Sequence, residues 1–64
     1  MNRHGRGRVV LAVKKYQEKD DTYIVFGLWG NSYTVWKFNF KDGFYNEHVY
    51  NRNVDDAYQD FLDS

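Results

Sequence analysis

Apolar positions along this chain are spaced first as in strands and then as in a helix. Four runs rich in β-branched and aromatic residues, at 8–16, 22–29, 32–40 and 44–50, are separated by short polar or glycine-containing breaks, which is typical of β-strands. Near the C-terminus the spacing changes to i, i+3, i+4, i+7 and i+8, one stripe of an amphipathic helix. The residues of that stripe are Val54, Ala57, Tyr58, Phe61 and Leu62.

The pattern predicts an α+β, mainly β chain, in which an antiparallel meander of about four strands carries one short C-terminal helix. Asn53 is a favourable N-cap, and Asp55 and Asp56 suit the positive end of the helix dipole. A single small domain is expected over residues 1–64, with a flexible basic arm at 1–7, the β meander at 8–50 and the helix at 53–63.

Two glycine-containing dipeptides predict tight hairpins. Gly30-Asn31 and Asp42-Gly43 each stand between strand-like runs, and both tolerate the positive φ angles of a two-residue loop. If both loops have two residues, Val25 lies opposite Trp36 in the first hairpin. Trp36 then lies opposite Val49 in the second, and opposed residues share a face of the sheet.

This register makes both faces of the sheet apolar over much of their area. One face carries Tyr23, Val25, Trp29, Thr34, Trp36, Phe38, Phe40, Tyr45 and Val49. The other carries Ile24, Phe26, Leu28, Tyr33, Val35 and Tyr50 at one end, with Lys37, Asn39, Asn46 and His48 at the other. One short helix covers only one face, so three alternatives remain. The sheet curls into a half-open barrel, the second face binds a protein or another copy, or it is a stacking platform for unpaired bases.

The plan of a small meander followed by a helix resembles that of SH3-like barrels and of many small regulators encoded by phages. The resemblance covers the arrangement of elements and rests on no residue motif, so it assigns no family. In the first predicted strand, at 8–16, Val9, Leu11 and Val13 are expected to share one face of the sheet.

Composition limits how such a chain is stabilised. Its 64 residues include no cysteine, so disulfides are excluded, whereas six Tyr, five Phe and two Trp supply most of the apolar surface for a core. Nine basic and nine acidic residues cancel, which gives no general attraction to nucleic acid. Residues 1–15 hold five of the basic residues and no acid, which is typical of a solvated tail and is also compatible with an arm that touches phosphate or an acidic partner.

Candidate catalytic chemistry is sparse, and an enzyme is not expected. His4 lies in the predicted arm, and His48 follows Glu47 on a strand, so their side chains point to opposite faces and cannot form a dyad. Glu18, Asp20 and Asp21 lack the glycine and spacing of a calcium loop. No metal site and no cofactor are expected.

The most favoured function is a non-catalytic interaction module that binds a protein partner or itself through an aromatic sheet face or edge. An inhibitor or regulator of the kind that phages and mobile elements encode would fit. The alternative is a small nucleic-acid-binding protein that uses the basic arm and exposed aromatics. A cytoplasmic location is expected, with no membrane and no small-molecule substrate. The predicted partner contacts are Trp29, Tyr23, Tyr45, Arg3, Arg6 and Arg8.

Overall fold

A computed structural model describes residues 7–64 of the chain. The elements are β1 (Arg8–Lys15), β2 (Tyr23–Trp29), β3 (Ser32–Asn39), β4 (Gly43–Val49) and α1 (Val54–Asp63). The four strands form one antiparallel sheet in the order β1-β2-β3-β4. The predicted mainly β meander with a C-terminal helix is confirmed, whereas the expected arm falls, apart from Gly7, outside the described residues.

The sheet is open within residues 7–64, because β1 and β4 lie at its two edges and each pairs with a single neighbour. A half-open SH3-like barrel, with the first strand closing over the second face, is therefore not confirmed. Strand β1 extends the sheet beside β2 and leaves the face opposite the helix open over part of its area.

The first hairpin has the predicted register. Val25 lies opposite Trp36 and Tyr23 lies opposite Phe38, with the turn at Gly30, whose φ is +64°. That positive φ is the left-handed conformation that glycine adopts without steric cost. The sequence signal succeeds here because strand pairing continues up to the dipeptide itself, with Trp29 opposite Ser32.

The predicted register of the second hairpin is wrong. Phe38 lies opposite Phe44, and the last pair is Asn39 with Gly43, so the connection holds three residues between paired positions. The side chain of Asn39 accepts a hydrogen bond of 2.6 Å from the backbone N–H of Asp42 and stabilises this longer turn. Of the dipeptide Asp42-Gly43, only the glycine has a positive φ, +76°, so the assumed two-residue turn does not form.

The longer turn places Tyr45 on the face opposite the one predicted, and a bulge in β4 after Tyr45 returns His48 and Val49 to their predicted faces. Val35 lies opposite His48 and Lys37 opposite Tyr45, so Trp36 alone faces two residues of β4. One of these two, Asn46, has a φ of +55°. Tyr45 lies opposite Lys37 and shares its face, whereas the predicted two-residue turn placed Tyr45 on the same face as Trp36.

A second bulge lies in β1 and separates residues that were predicted to share a face. The register shifts between Val10 and Ala12, so Leu11 is the extra residue. Val9 lies opposite Leu28 and Val13 opposite Val25, which places the two valines on opposite faces of the sheet. Both edge strands thus carry an irregularity that sequence alternation alone does not reveal.

Helix α1 covers the even-numbered face of β2. The buried core between the helix and the sheet consists of Ile24, Phe26 and Val35 from the strands and Ala57 and Phe61 from the helix. Around this core, Ala12, Tyr16, Tyr33 and Tyr50 are partly buried. The Asn53 side chain accepts from the N–H of Asp56 at 3.1 Å as the predicted N-cap. At the other end, Lys14 Nζ donates to the Leu62 carbonyl at 3.0 Å, a favourable position for a cation.

Candidate functional site

The sheet face opposite the helix contains an apolar groove of about 320 Å³. We call it the open-face groove, and its walls are Val10, Val13, Tyr23, Val25, Phe38, Phe40 and Phe44. All of these side chains are hydrocarbon except that of Tyr23, which carries one hydroxyl. Strands β1 to β4 all contribute to this surface, with Phe40 in the turn between β3 and β4.

Phe40 projects from the rim of the open-face groove and is 84% exposed. Its ring contacts Phe38 edge-on, with centroids 5.1 Å apart and planes at 83°. On the β1 side of the groove, Val10 and Val13 are also about half exposed. Contiguous exposed apolar surface of this kind marks an interaction site more often than isolated exposed residues do.

Next to the groove, Arg8 is held inside the chain. Its guanidinium carbon lies 3.8 Å from the centroid of Trp29 and 4.7 Å from that of Trp36, and its Nη1 is 3.2 Å from the Glu47 carboxylate. The Arg8 side chain is only 10% exposed. It therefore links β1 to β4 across the face and covers Trp36, which is 1% exposed although no helix lies on this side.

At Gly27, the backbone of β1 and the Trp36 ring both approach β2 closely. A Cβ atom there would collide with the carbonyl oxygen of Val9 and stand 2.9 Å from the Trp36 ring. The missing side chain therefore leaves the space that the Trp36 indole occupies against β2.

The predicted contact residues are distributed unevenly around this surface. Tyr23 lines the open-face groove. Trp29 is 40% exposed and stacks with Arg8 beside it. Tyr45 lies on the other face, with Lys19 Nζ 5.7 Å from its ring. Arg3 and Arg6 lie outside the described residues.

The main residues of the groove that sequence reasoning did not single out are Val10, Val13, Phe40 and Phe44. Alternation along β3 already placed Phe40 on the same face as Trp36, and its place just before a turn was a signal of exposure. The two valines could not be assigned to the groove, because strict alternation puts positions 10 and 13 on opposite faces and only the extra residue in the β1 bulge brings both to the same face. Phe44 was hidden by the wrong register of the second hairpin.

A charged rim borders one end of the open-face groove. A cleft of about 550 Å³ lies between the β1–β2 loop and the β3–β4 turn and shares Tyr23 and Phe40 with the groove. Its charged residues are Lys19, Asp20, Asp21, Lys41 and Asp42. Because both signs are interspersed, this rim favours neither a polyanion nor a polycation.

On the helix side, Asp60 joins α1 to the sheet. Its Oδ2 accepts a hydrogen bond of 2.6 Å from the Tyr50 hydroxyl and lies 3.0 Å from His48 Nδ1. Burial alone would raise the pKa of Asp60, but the hydrogen bonds from Tyr50 and His48 outweigh it and lower that pKa below its ordinary value. The bond to Asp60, followed by burial, raises the pKa of Tyr50 to about 12.

Sequence reasoning missed this partner of His48, because it compared the imidazole only with the adjacent Glu47. The carboxylate comes from the helix, which packs on β2 and β3 on the same face of the sheet as His48. Ser64 Oγ donates to the Asp60 carbonyl at 2.6 Å and is not hydrogen-bonded to the imidazole. The cluster therefore attaches the helix to the sheet. No nucleophile among residues 7–64 is hydrogen-bonded to His48.

Among residues 7–64, no three His, Cys, Asp or Glu side chains are grouped so that they could hold a metal ion. No helix in the same part of the chain is both long and apolar enough to cross a bilayer. Compared with known proteins, the chain matches no family model, no curated protein and no solved structure. Its function must therefore be inferred from its surfaces.

Proposed function

We propose that this chain is a non-catalytic interaction module that binds a protein surface through the open-face groove. The observation that carries the proposal is the groove itself, in which an almost entirely hydrocarbon surface faces outward beside the half-exposed Val10 and Val13 and the projecting Phe40. Aromatic side chains in apolar pockets are the usual anchors of protein interfaces.

The geometry of the edges favours docking on the face over addition of a strand. A partner that extends a sheet needs a regular row of unpaired N–H and C=O groups along an edge. Here both edges are interrupted, β1 by the bulge at Leu11 and β4 by the bulge at Asn46. Bulges of this kind are one way in which edge strands avoid pairing with other chains.

The nucleic-acid alternative has weaker support among the described residues. Arg8, one of its predicted contacts, forms an ion pair with Glu47 and lies over the rings of Trp29 and Trp36. The charged rim of the groove mixes acids with bases, whereas a phosphate-binding surface needs an excess of bases. The alternative would rest on Arg3 and Arg6, which are not described.

Two matched variants test the proposal. Val13→Lys places a charge in the open-face groove, and Leu62→Lys places the same charge on a comparably exposed apolar residue of the helix, since the two residues are 54% and 49% exposed. Protein binding should be lost in Val13→Lys and kept in Leu62→Lys and after nuclease treatment. Capture from lysate of the native host, followed by mass spectrometry, measures this. Equal loss in both variants, or loss on nuclease treatment, would contradict the proposal.

A further inference from the structure

We infer that the occupant of the open-face groove is a second copy of the same chain, which forms a two-fold dimer with the two sheets stacked face to face. The inference rests on the proposed function and names its partner. In such a dimer, the Phe40 side chain of each copy fills the groove of the other. The layers across the dimer are then helix, sheet, sheet and helix.

The shape of the face is self-complementary. A two-fold interface brings the same patch of both copies together, so each patch must carry a projection and the depression that receives it. The open face has both, because Phe40 is 84% exposed and stands at the rim of a groove of about 320 Å³. The volume is large enough for one phenyl ring, and the walls of Val10, Val13 and Phe44 match its chemistry.

The charges around the face are also self-complementary. The charged rim, at the end of the groove where β2 begins, carries two bases and three acids: Lys19, Lys41, Asp20, Asp21 and Asp42. Because it mixes both signs, two copies of this rim can pair opposite charges across a two-fold axis. The whole chain has a formal net charge of +0, so two copies have little overall repulsion to overcome.

The dimensions suit sheet-on-sheet packing. The molecule measures 34 × 30 × 16 Å, so it is a flat body whose broad side is the size of a standard interface. Such an interface covers about 800 Å² on each partner, which is roughly one sixth of the chain's 4692 Å² of accessible surface. Packed sheets lie about 10 Å apart, and that spacing accommodates interleaved phenylalanine and valine side chains.

Pairing through the β1 edge is a weaker route to the same dimer. If two β1 strands paired antiparallel, the bulge at Leu11 would interrupt the ladder of backbone hydrogen bonds between them. Stacking of the open faces does not meet this obstacle.

The test is the mass of the purified chain by sedimentation equilibrium over a wide range of concentrations. The wild type should reach twice its 7.7 kDa. Because Phe40 is exposed in the lone chain, Phe40→Ala should leave the fold intact and raise the dimer dissociation constant about tenfold or more. Val13→Lys should be a monomer, and Leu62→Lys should dimerise as the wild type does, with circular dichroism confirming that each variant is folded.

Two outcomes would overturn the inference and can be separated from failure of the proposed function. A wild type that stays monomeric at millimolar concentration, yet captures another protein in a manner that Val13→Lys abolishes, refutes the dimer and leaves the binding surface standing. A dimer that persists unchanged in Phe40→Ala and Val13→Lys places the interface elsewhere. If the wild type neither dimerises nor captures a protein, both the inference and the proposed function fail.

Discussion

The guanidinium carbon of Arg8 lies 4.7 Å from the centre of the Trp36 ring. It covers that ring on the sheet face on which no helix packs. Arg8 belongs to the edge strand β1, and Trp36 lies in β3 with β2 between them. The pair therefore divides this face into a sealed part, over Trp36, and the open-face groove beside it. An unpaired arginine would be a candidate for binding phosphate, but this one stabilises its own sheet.

Replacement of Arg8 should destabilise the fold. Arg8→Ala removes the ion pair with Glu47 and the contacts of the guanidinium with three rings, those of Trp29, Trp36 and Phe44, the last 4.6 Å away. This should lower the free energy of unfolding by about 2 kcal/mol. Arg8→Lys keeps the charge without the planar stack, so about half of that loss is expected. Urea unfolding measures both variants. A change within about 0.5 kcal/mol in Arg8→Ala, as for an ordinary surface substitution, would contradict this role.

Gly27 should be intolerant of even a methyl group. A Cβ there meets the Val9 carbonyl oxygen and the Trp36 ring, so Gly27→Ala should cost about 2–3 kcal/mol by overpacking. Gly43→Ala is the control, because Gly43 has open space around its Cβ position and a φ of +76°. Its cost should be only the conformational one, about 1 kcal/mol. Thermal or urea unfolding that ranks the two in the reverse order would refute this packing.

The order of elements and the first hairpin were predictable because they depend on local signals. Alternation identified the strands, the change of period identified the helix, and Gly30-Asn31 set the register of β2 against β3. Asn53 caps the helix as its position suggested. Each of these features is decided by residues a few positions apart.

The candidate site was less predictable because it depends on bulges and on contacts between distant elements. The turn stabilised by Asn39 holds three residues instead of the assumed two, and this difference places Tyr45 on the face opposite the one that the sequence-based register gave it. The bulge at Leu11 decided that Val13 faces the groove. The capture of Arg8 by Glu47, 39 residues away, has no local signature.

Acid should weaken the attachment of the helix through Asp60. The pKa of this carboxyl is lowered in the folded chain, so its contribution to stability is complete above the pKa of the unfolded state and is lost as pH falls through the folded-state value. The stability difference between wild type and Asp60→Asn should therefore shrink as pH is lowered. Urea unfolding at a series of pH values measures it.

Asp63→Asn is the matched control, because Asp63 accepts a hydrogen bond from Gln59 within the helix and not from the sheet. It should cost less stability at neutral pH than Asp60→Asn does. If the two variants behaved alike at every pH, the attachment of Asp60 to Tyr50 and His48 would carry no weight in the fold.

High pH should also weaken the attachment of the helix to the sheet, through ionisation of Tyr50. The pKa of Tyr50 is raised to about 12, chiefly by its bond to Asp60, so the neutral phenol stabilises the fold below the ordinary value of 10.0, and that contribution is lost as pH rises through the folded-state value. Tyrosinate absorbance, compared between wild type and Tyr50→Phe, isolates this residue. A Tyr50 that ionises near pH 10 in the folded chain would show that the bond is not formed.

The most direct measurement of whether the open-face groove is a binding surface is the accessibility of two methyl groups to a soluble paramagnetic probe in NMR spectra. In the lone chain Val13 and Leu62 are 54% and 49% exposed, so both should be relaxed to a similar extent in dilute solution. When the chain is concentrated or its captured partner is added, Val13 should become protected while Leu62 stays accessible. Protection of Leu62 alone, or continued exposure of Val13 in a complex that demonstrably forms, would contradict the account.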